Sequence, residues 1–137
     1  MTFLDTNVCL DLLTKRSPWH QSAETIIRYH LEQSMEIGIS IISIPTIAYL
    51  LEKHHPNIEI SEVLENIFTF LDVLDVTGEM TRRALAKSWA DVEDSIQHEC
   101  ALHNAAQVII TRNKKDFAGS EIPVFTPDEW IELFINQ

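Results

Sequence analysis

Three aspartates stand where the chain leaves an apolar stretch or enters a helical pattern. Asp5 directly follows Thr2-Phe3-Leu4, Asp94 lies in the acidic run Asp91-Val92-Glu93-Asp94, and Asp116 comes shortly after Val108-Ile109-Ile110. Carboxylates brought into one cleft repel one another, so each destabilises the fold unless a cation neutralises the set. An all-oxygen donor set selects a hard divalent ion, Mg²⁺ or Mn²⁺. Such an ion lowers the pKa of a bound water and polarises a phosphoryl oxygen, which is the chemistry of phosphodiester hydrolysis. Taken singly, each acid has a plainer explanation. Acids at helix starts and in loops are commonly caps or solvated charges, and negative side chains in a first turn suit the helix dipole.

The elements that would bring these acids together are short apolar strands alternating with longer helical patterns. Strands are expected at Thr2–Leu4, Ile37–Ile41, Val73–Val76, Val108–Ile110 and Pro123–Phe125. Asn7 is the expected N-cap of the first helix, and Ser17 or Pro18 the start of the second, which runs to about Ser34. Further helices are expected from Ser43 to His55, from Ser61 with Val63, Ile67, Phe70 and Leu71 on one side, and from Thr77 through Met80, Ala84 and Trp89. A helix opening at Asp91 carries Ile96, Cys100 and Ala101, and Thr126-Pro127 begins a terminal one with Trp130 and Phe134. This order predicts an α/β fold: a three-layer α/β/α sandwich around a short, mostly parallel, twisted sheet with right-handed crossovers. Function in such sheets gathers at the carboxyl ends of the strands, where all three aspartates are expected.

Length and composition bound the rest. One domain over 1–137 is expected, with no internal repeat or linker, and 45% hydrophobic residues give it a core. Two cysteines make no disulfide framework, no apolar run approaches the ~20 residues of a membrane span, and the start MTFLDTNV lacks a secretory pattern. A cytoplasmic protein is therefore expected. Its 21 Asp plus Glu against 10 Lys plus Arg give a net charge of −11, which repels phosphate backbones and argues against a general nucleic-acid binder.

Three segments resemble the PIN-domain proteins, in particular the VapC-like toxins of bacterial toxin–antitoxin pairs. Phe3-Leu4-Asp5-Thr6-Asn7-Val8 resembles the family's first motif, an apolar strand followed by D-x-N. Asp91-Val92-Glu93-Asp94-Ser95-Ile96-Gln97 resembles the helix start that holds a further acid. Ile109-Ile110-Thr111-Arg112-Asn113-Lys114-Lys115-Asp116-Phe117 resembles the closing motif, a strand followed by T-R-[DN]-x-x-D-F. The resemblance implies a Mg²⁺- or Mn²⁺-dependent endoribonuclease with Asp5, Asp94 and Asp116 as catalytic metal ligands. Asn7, Glu93, Thr111 and Asn113 would support them, and Arg112, Lys114 and Lys115 would form a rim contacting substrate phosphates. It also implies an RNA substrate, a cognate antitoxin that blocks the site with a basic segment, and a homodimer.

One departure stands out. Most relatives carry Glu on the helix after the second strand, where this chain has Thr46. Glu52 is about 600° further round that helix and faces elsewhere, so Glu93 is the better replacement. The departure leaves a second reading, a PIN-fold binding module that has lost a complete metal site. A receiver domain is excluded, because Asp5 is single and no Lys follows Phe125. A haloacid-dehalogenase-type phosphatase wants Asp where Asn7 stands. The histidines show no ligand spacing, and His98 is expected at the surface. Cys9 and Cys100 read as core residues, and Trp19, Trp89 and Trp130 as core or interface anchors.

Overall fold

Alternation along the central strands decides the architecture. The computed structural model describes residues 1–137 and contains β1 (Thr2–Leu4), α1 (Thr6–Thr14), α2 (His20–Glu32), β2 (Ile37–Ser40), α3 (Ser43–His54), α4 (Ile60–Phe68) and β3 (Asp72–Leu74). These are followed by α5 (Gly78–Ala86), α6 (Val92–His103), β4 (Val108–Ile110), a 3₁₀ turn at Lys114–Phe117, β5 (Val124–Phe125) and α7 (Pro127–Phe134). Leu4, Ile37, Ile39, Val108 and Ile110 point to one face, where Val8, Ile26, Ile47, Leu51, Ile67 and Trp130 from α1, α2, α3, α4 and α7 cover them. Phe3 and Ile109 point to the other, against Met80 of α5, Cys100 and Ala101 of α6, and Phe117. Successive strand side chains thus enter two separate cores, which makes the three layers.

The five strands run in the order β3-β2-β1-β4-β5, and every pairing is parallel. The sheet is therefore wholly rather than mostly parallel. The chain builds outward from β1 to β3, crosses over through α5 and α6, and resumes at β4 on the other flank of β1. The crevice beyond the carboxyl ends of β1 and β4 is the switch point of the fold. Gly38 pairs in register with Phe3, and a Cβ there would come within 2.8 Å of Leu74 Cδ1 and 3.1 Å of Met1 Sδ.

Several boundaries differ from expectation. β3 spans Asp72–Leu74 and not Val73–Val76, because its partner β2 ends at Ser40, opposite Leu74. α2 begins at His20 and not at Ser17 or Pro18. α4 starts at Ile60 and stops at Phe68, before Phe70. α7 is capped as expected, with Thr126 accepting from the Glu129 amide.

A buried ion pair joins distant parts of the chain. Asp11 of α1 is 1% exposed and receives both Arg112 Nε, at 2.6 Å, and Arg112 Nη2, at 3.2 Å. The guanidinium also lies over the Trp19 ring, 4.2 Å from its centre. Removing one partner of such a pair strands a buried charge. Arg112→Ala is expected to lower the unfolding free energy by about 3 kcal/mol in urea denaturation. The double variant Asp11→Leu/Arg112→Met should recover most of that loss.

Candidate active site

Asp5 leaves β1 with no intervening residue and turns straight into α1. Its φ and ψ of −70° and 155° are those of an N-cap, and its Oδ1 accepts the Thr6 amide at 2.7 Å. Asp5 is thus the cap, not Asn7. Asn7, one residue inside the helix, reaches across to β4: its Nδ2 lies 3.5 Å from Thr111 Oγ1, and its Oδ1 accepts the Arg112 amide at 3.4 Å. Thr111 is fully buried at the end of β4. Its hydroxyl donates to Asp5 Oδ2 at 2.7 Å and accepts the Asn113 amide at 3.1 Å. Both oxygens of Asp5 are therefore held, each with a lone pair to spare.

The acidic run divides its labour. Asp91 caps α6 by accepting the Asp94 amide at 3.0 Å, while Glu93 and Asp94 stand half-buried in the first turn. Gln97, one turn further on, is 1% exposed and stands close enough to Asp5 to lower its carboxyl's pKa. Thr6 joins three helices: its Oγ1 lies 2.6 Å from Ser43 Oγ on α3 and donates to Glu93 Oε1 at 3.4 Å. Asp116, in the 3₁₀ turn, is exposed, but its charge is felt at both Asp5 and Asp94.

The electrostatics show that these acids form one system. Burial raises the Asp5 carboxyl above its usual range, against hydrogen bonds from Thr111, Gln97 and Thr6, and the Asp116 charge adds to the rise. Glu93 is raised by burial and then by Asp5 and Asp91. Asp94 is pushed up to about 7, first by burial and then by Asp5, Asp91, Asp116 and Glu93. Such mutual repulsion is the signature of a site complementary to a cation.

The residues fit a hydrated divalent ion. Every donor is an oxygen, and the Gln97 Oε1 is buried without a hydrogen-bond partner, an acceptor left over beside Asp5. No three acidic, histidine or cysteine side chains are gathered closely enough to form a closed metal cage. Mg²⁺ does not require one, since it keeps several waters and takes one or two carboxylates directly.

The remaining expectations divide. Thr46 is half-buried one turn beyond Ser43, and Glu52 is exposed on α3. The basic rim is smaller than expected. Arg112 is engaged by Asp11 and Trp19, so its guanidinium is not a free phosphate contact. Lys114 pairs with Glu129 at 3.0 Å, which leaves Lys115 exposed without an ionic partner. His98 is not at the surface: it is 0% exposed, its Nε2 accepts the Glu121 amide at 3.1 Å, and burial beside Lys87 pushes it down to about 4. Cys9 and Cys100 are buried as expected, with thiols raised by burial to about 12 and about 11. Trp130 is a core residue, but Trp19 is 39% exposed. Sequence reasoning missed Thr6, Ser43 and Gln97. Gln97 was within reach of it, because spacings of three and four from Asp94 and Glu93 place it on the same helix face. Thr6 and Ser43 carry no such signal, since only the fold brings them together.

Comparison with known proteins agrees with this geometry. Ribonuclease VapC1 of Aquifex aeolicus is 26% identical over 135 residues, covering 95% of this chain and 92% of its own. A chain of a toxin–antitoxin complex from Klebsiella pneumoniae superposes with a TM-score of 0.70 at 22% identity, over 93% of this chain and 98% of that one. A DNA-bound VapBC structure from Salmonella typhimurium gives a TM-score of 0.70 at 23% identity, over 92% and 97%. The model of the PIN domain matches residues 2–115. With that match spanning most of the chain and a parallel sheet that places acids at its switch point, the chain belongs to the PIN domain family.

Proposed function

We propose that this chain is a metal-dependent endoribonuclease, the toxin of a toxin–antitoxin pair, with Mg²⁺ or Mn²⁺ as its ion. The observation that carries the reading is the coupled set of Asp5, Glu93, Asp94 and Asp116 at the switch point of the sheet. Asp5, fixed at both oxygens, is the anchoring ligand, and Asp94 and Asp116 complete the negative field that draws the ion in. When bound, the ion supplies a water of lowered pKa and positive charge toward the phosphoryl oxygens. Thr111 holds Asp5 in its orientation, Asn7 and Asn113 brace Thr111, and Glu93, steadied by Thr6, stands where it can accept a proton in place of the Glu that Thr46 replaces.

The partners follow from the charge. A net charge of −11 with Lys115 as the free cation of the rim favours engagement of RNA at one cleft over broad backbone binding. It also favours an antitoxin whose blocking segment is basic. No helix is long and apolar enough to cross a membrane. The resemblance implies a homodimer. Thr46 is the observation that favours the binding-module reading instead.

Incubation with tRNA and rRNA pools separates these readings. The parent protein is expected to cleave with Mg²⁺ and to stop on chelation, and Asp5→Asn and Asp94→Asn to lose about 10²-fold or more. Undiminished cleavage by those variants would remove the site assignment. No cleavage and no ion binding by a folded parent would favour the binding module.

The raised Asp94 pKa gives a separate test in the metal-free protein. Asp94 titrates at about 7 in the fold against 3.8 in an open chain, so between those values the folded state binds the extra proton. Its stabilising contribution is complete below 3.8 and is lost as pH rises through about 7. His98, lowered to about 4, acts in the opposite sense over part of this window, so the readout must be differential. The Tm of the parent minus that of Asp94→Asn is expected to fall as pH rises toward neutrality. Mn²⁺ should raise the parent Tm more at alkaline than at acidic pH.

A further inference from the structure

A concavity is lined in part by Arg112, the residue that follows Thr111. It encloses about 340 Å³ between the start of α2 and the start of α7, with Pro18, Trp19, Ser22, Arg112, Thr126 and Asp128 among its walls. Two of those walls leave the carboxyl ends of strands: Arg112 follows β4 by two positions and Thr126 follows β5 directly. Arg112 is bonded in sequence to Thr111, whose hydroxyl holds Asp5. The cleft is therefore built on the loops that build the acidic site, one residue away along the chain.

Its chemistry suits a neutral aromatic ring better than an anion. The guanidinium of Arg112 is neutralised by buried Asp11 and Asp128 adds a negative charge, so the walls themselves offer no net positive charge to a phosphate. Trp19 keeps 39% of its surface exposed and is stiffened by Arg112 stacked 4.2 Å from its ring centre. Arg16 is looser, 5.5 Å away on an exposed side chain that a stacking ligand can displace. Single-stranded bases stack readily on such a platform.

Asp128 supplies the selective element. Its Oδ1 accepts a hydrogen bond from Ser22, which restrains the carboxylate, and Asp128 lines the cleft with acceptor oxygens. A carboxylate accepts only, so it favours a ring edge with adjacent donors. Guanine presents an N1–H beside an exocyclic amino group. Adenine and cytosine pair their amino group with a ring-nitrogen acceptor, and uracil flanks its single N–H with two carbonyls, each of which the carboxylate repels. We propose that this cleft is a guanine-binding subsite for RNA flanking the scissile phosphate, with Trp19 as the stacking platform and Asp128 reading the base edge. The proposal rests on the ribonuclease reading above for its role, but not for its chemistry.

Two arms of one experiment test the proposal. Metal-free protein is titrated with GMP, AMP, CMP and UMP while tryptophan fluorescence is followed. GMP is expected to quench saturably and about tenfold more tightly than the other three. Trp19→Phe should lose the quench, and Asp128→Asn, which keeps an acceptor for Ser22, should lose the preference. Equal response to all four nucleotides, or an unchanged quench in Trp19→Phe, would overturn the proposal. In the second arm a random single-stranded RNA pool is digested with Mg²⁺ and the cut positions are sequenced. Guanine should be enriched at one fixed offset for the parent, and the ratio of guanine to other bases there should fall toward parity in Asp128→Asn. Cutting with no base preference at any offset would also overturn it. If no RNA is cut, the ribonuclease reading fails, and the nucleotide arm still decides the chemistry of the cleft.

Discussion

Both oxygens of Asp5 are engaged, one by the first amide of α1 and the other by the hydroxyl of Thr111 at the end of β4. This double hold makes the rest of the site intelligible. It places a buried negative charge at the point where the strand order reverses, between the central strand and the strand reached after the crossover. A helix N-terminus and a buried hydroxyl together offset part of the desolvation of that carboxylate. They offset only part of it, because Asp5 still titrates above its usual range. The fold thus keeps a strained charge in place and brings Glu93, Asp94 and Asp116 into its field. The proposed cation would offset the repulsion that raises Asp5, Glu93 and Asp94.

The supports of that charge come from every part of the chain. Thr6 couples α1 to Ser43 of α3 and to Glu93 of α6, and Gln97 backs Asp5 from below. α6 is fixed in turn against α5, where the Ser95 hydroxyl donates to the Ala84 carbonyl and Glu99 receives Arg83 and Lys87. Arg83 of α5 and Lys87 just after it are therefore engaged in fixing α6. Arg112 is the same case: its guanidinium stabilises buried Asp11 and stiffens Trp19. Arg83, Lys87, Arg112 and Lys114 are thus engaged within the protein, and the remaining cations are outnumbered by an acidic surface with little net attraction for RNA.

Much of this was legible in the residues. Short apolar runs at Thr2–Leu4 and Val108–Ile110 marked the strands, and the turn chemistry of Thr126-Pro127 marked the last helix as it stands. Asp5, Asp94 and Asp116 were visible because each follows a strand or opens a helix. What the sequence hid was long-range. Nothing in Asp11 signals a partner 101 residues away, and nothing in Thr6 signals Ser43. Asn7 was a reasonable cap by residue type, yet the strand ends one residue before Asp5, so Asp5 takes the cap and Asn7 is carried inside the helix. Strand β3 was misplaced because its extent follows from where β2 ends, which is a property of the pairing and not of the segment.

The central claim is that four coupled carboxylates, anchored on Asp5, form a site for one divalent ion. Calorimetric titration of the metal-free protein with Mn²⁺ near neutral pH, in two buffers of different ionisation enthalpy, tests it most directly. The account predicts one ion per chain, release of protons on binding because Asp94 titrates at about 7, and affinity weakened about tenfold or more by Asp5→Asn. Binding that releases no protons and is unchanged by Asp5→Asn, or no binding at all, would contradict it.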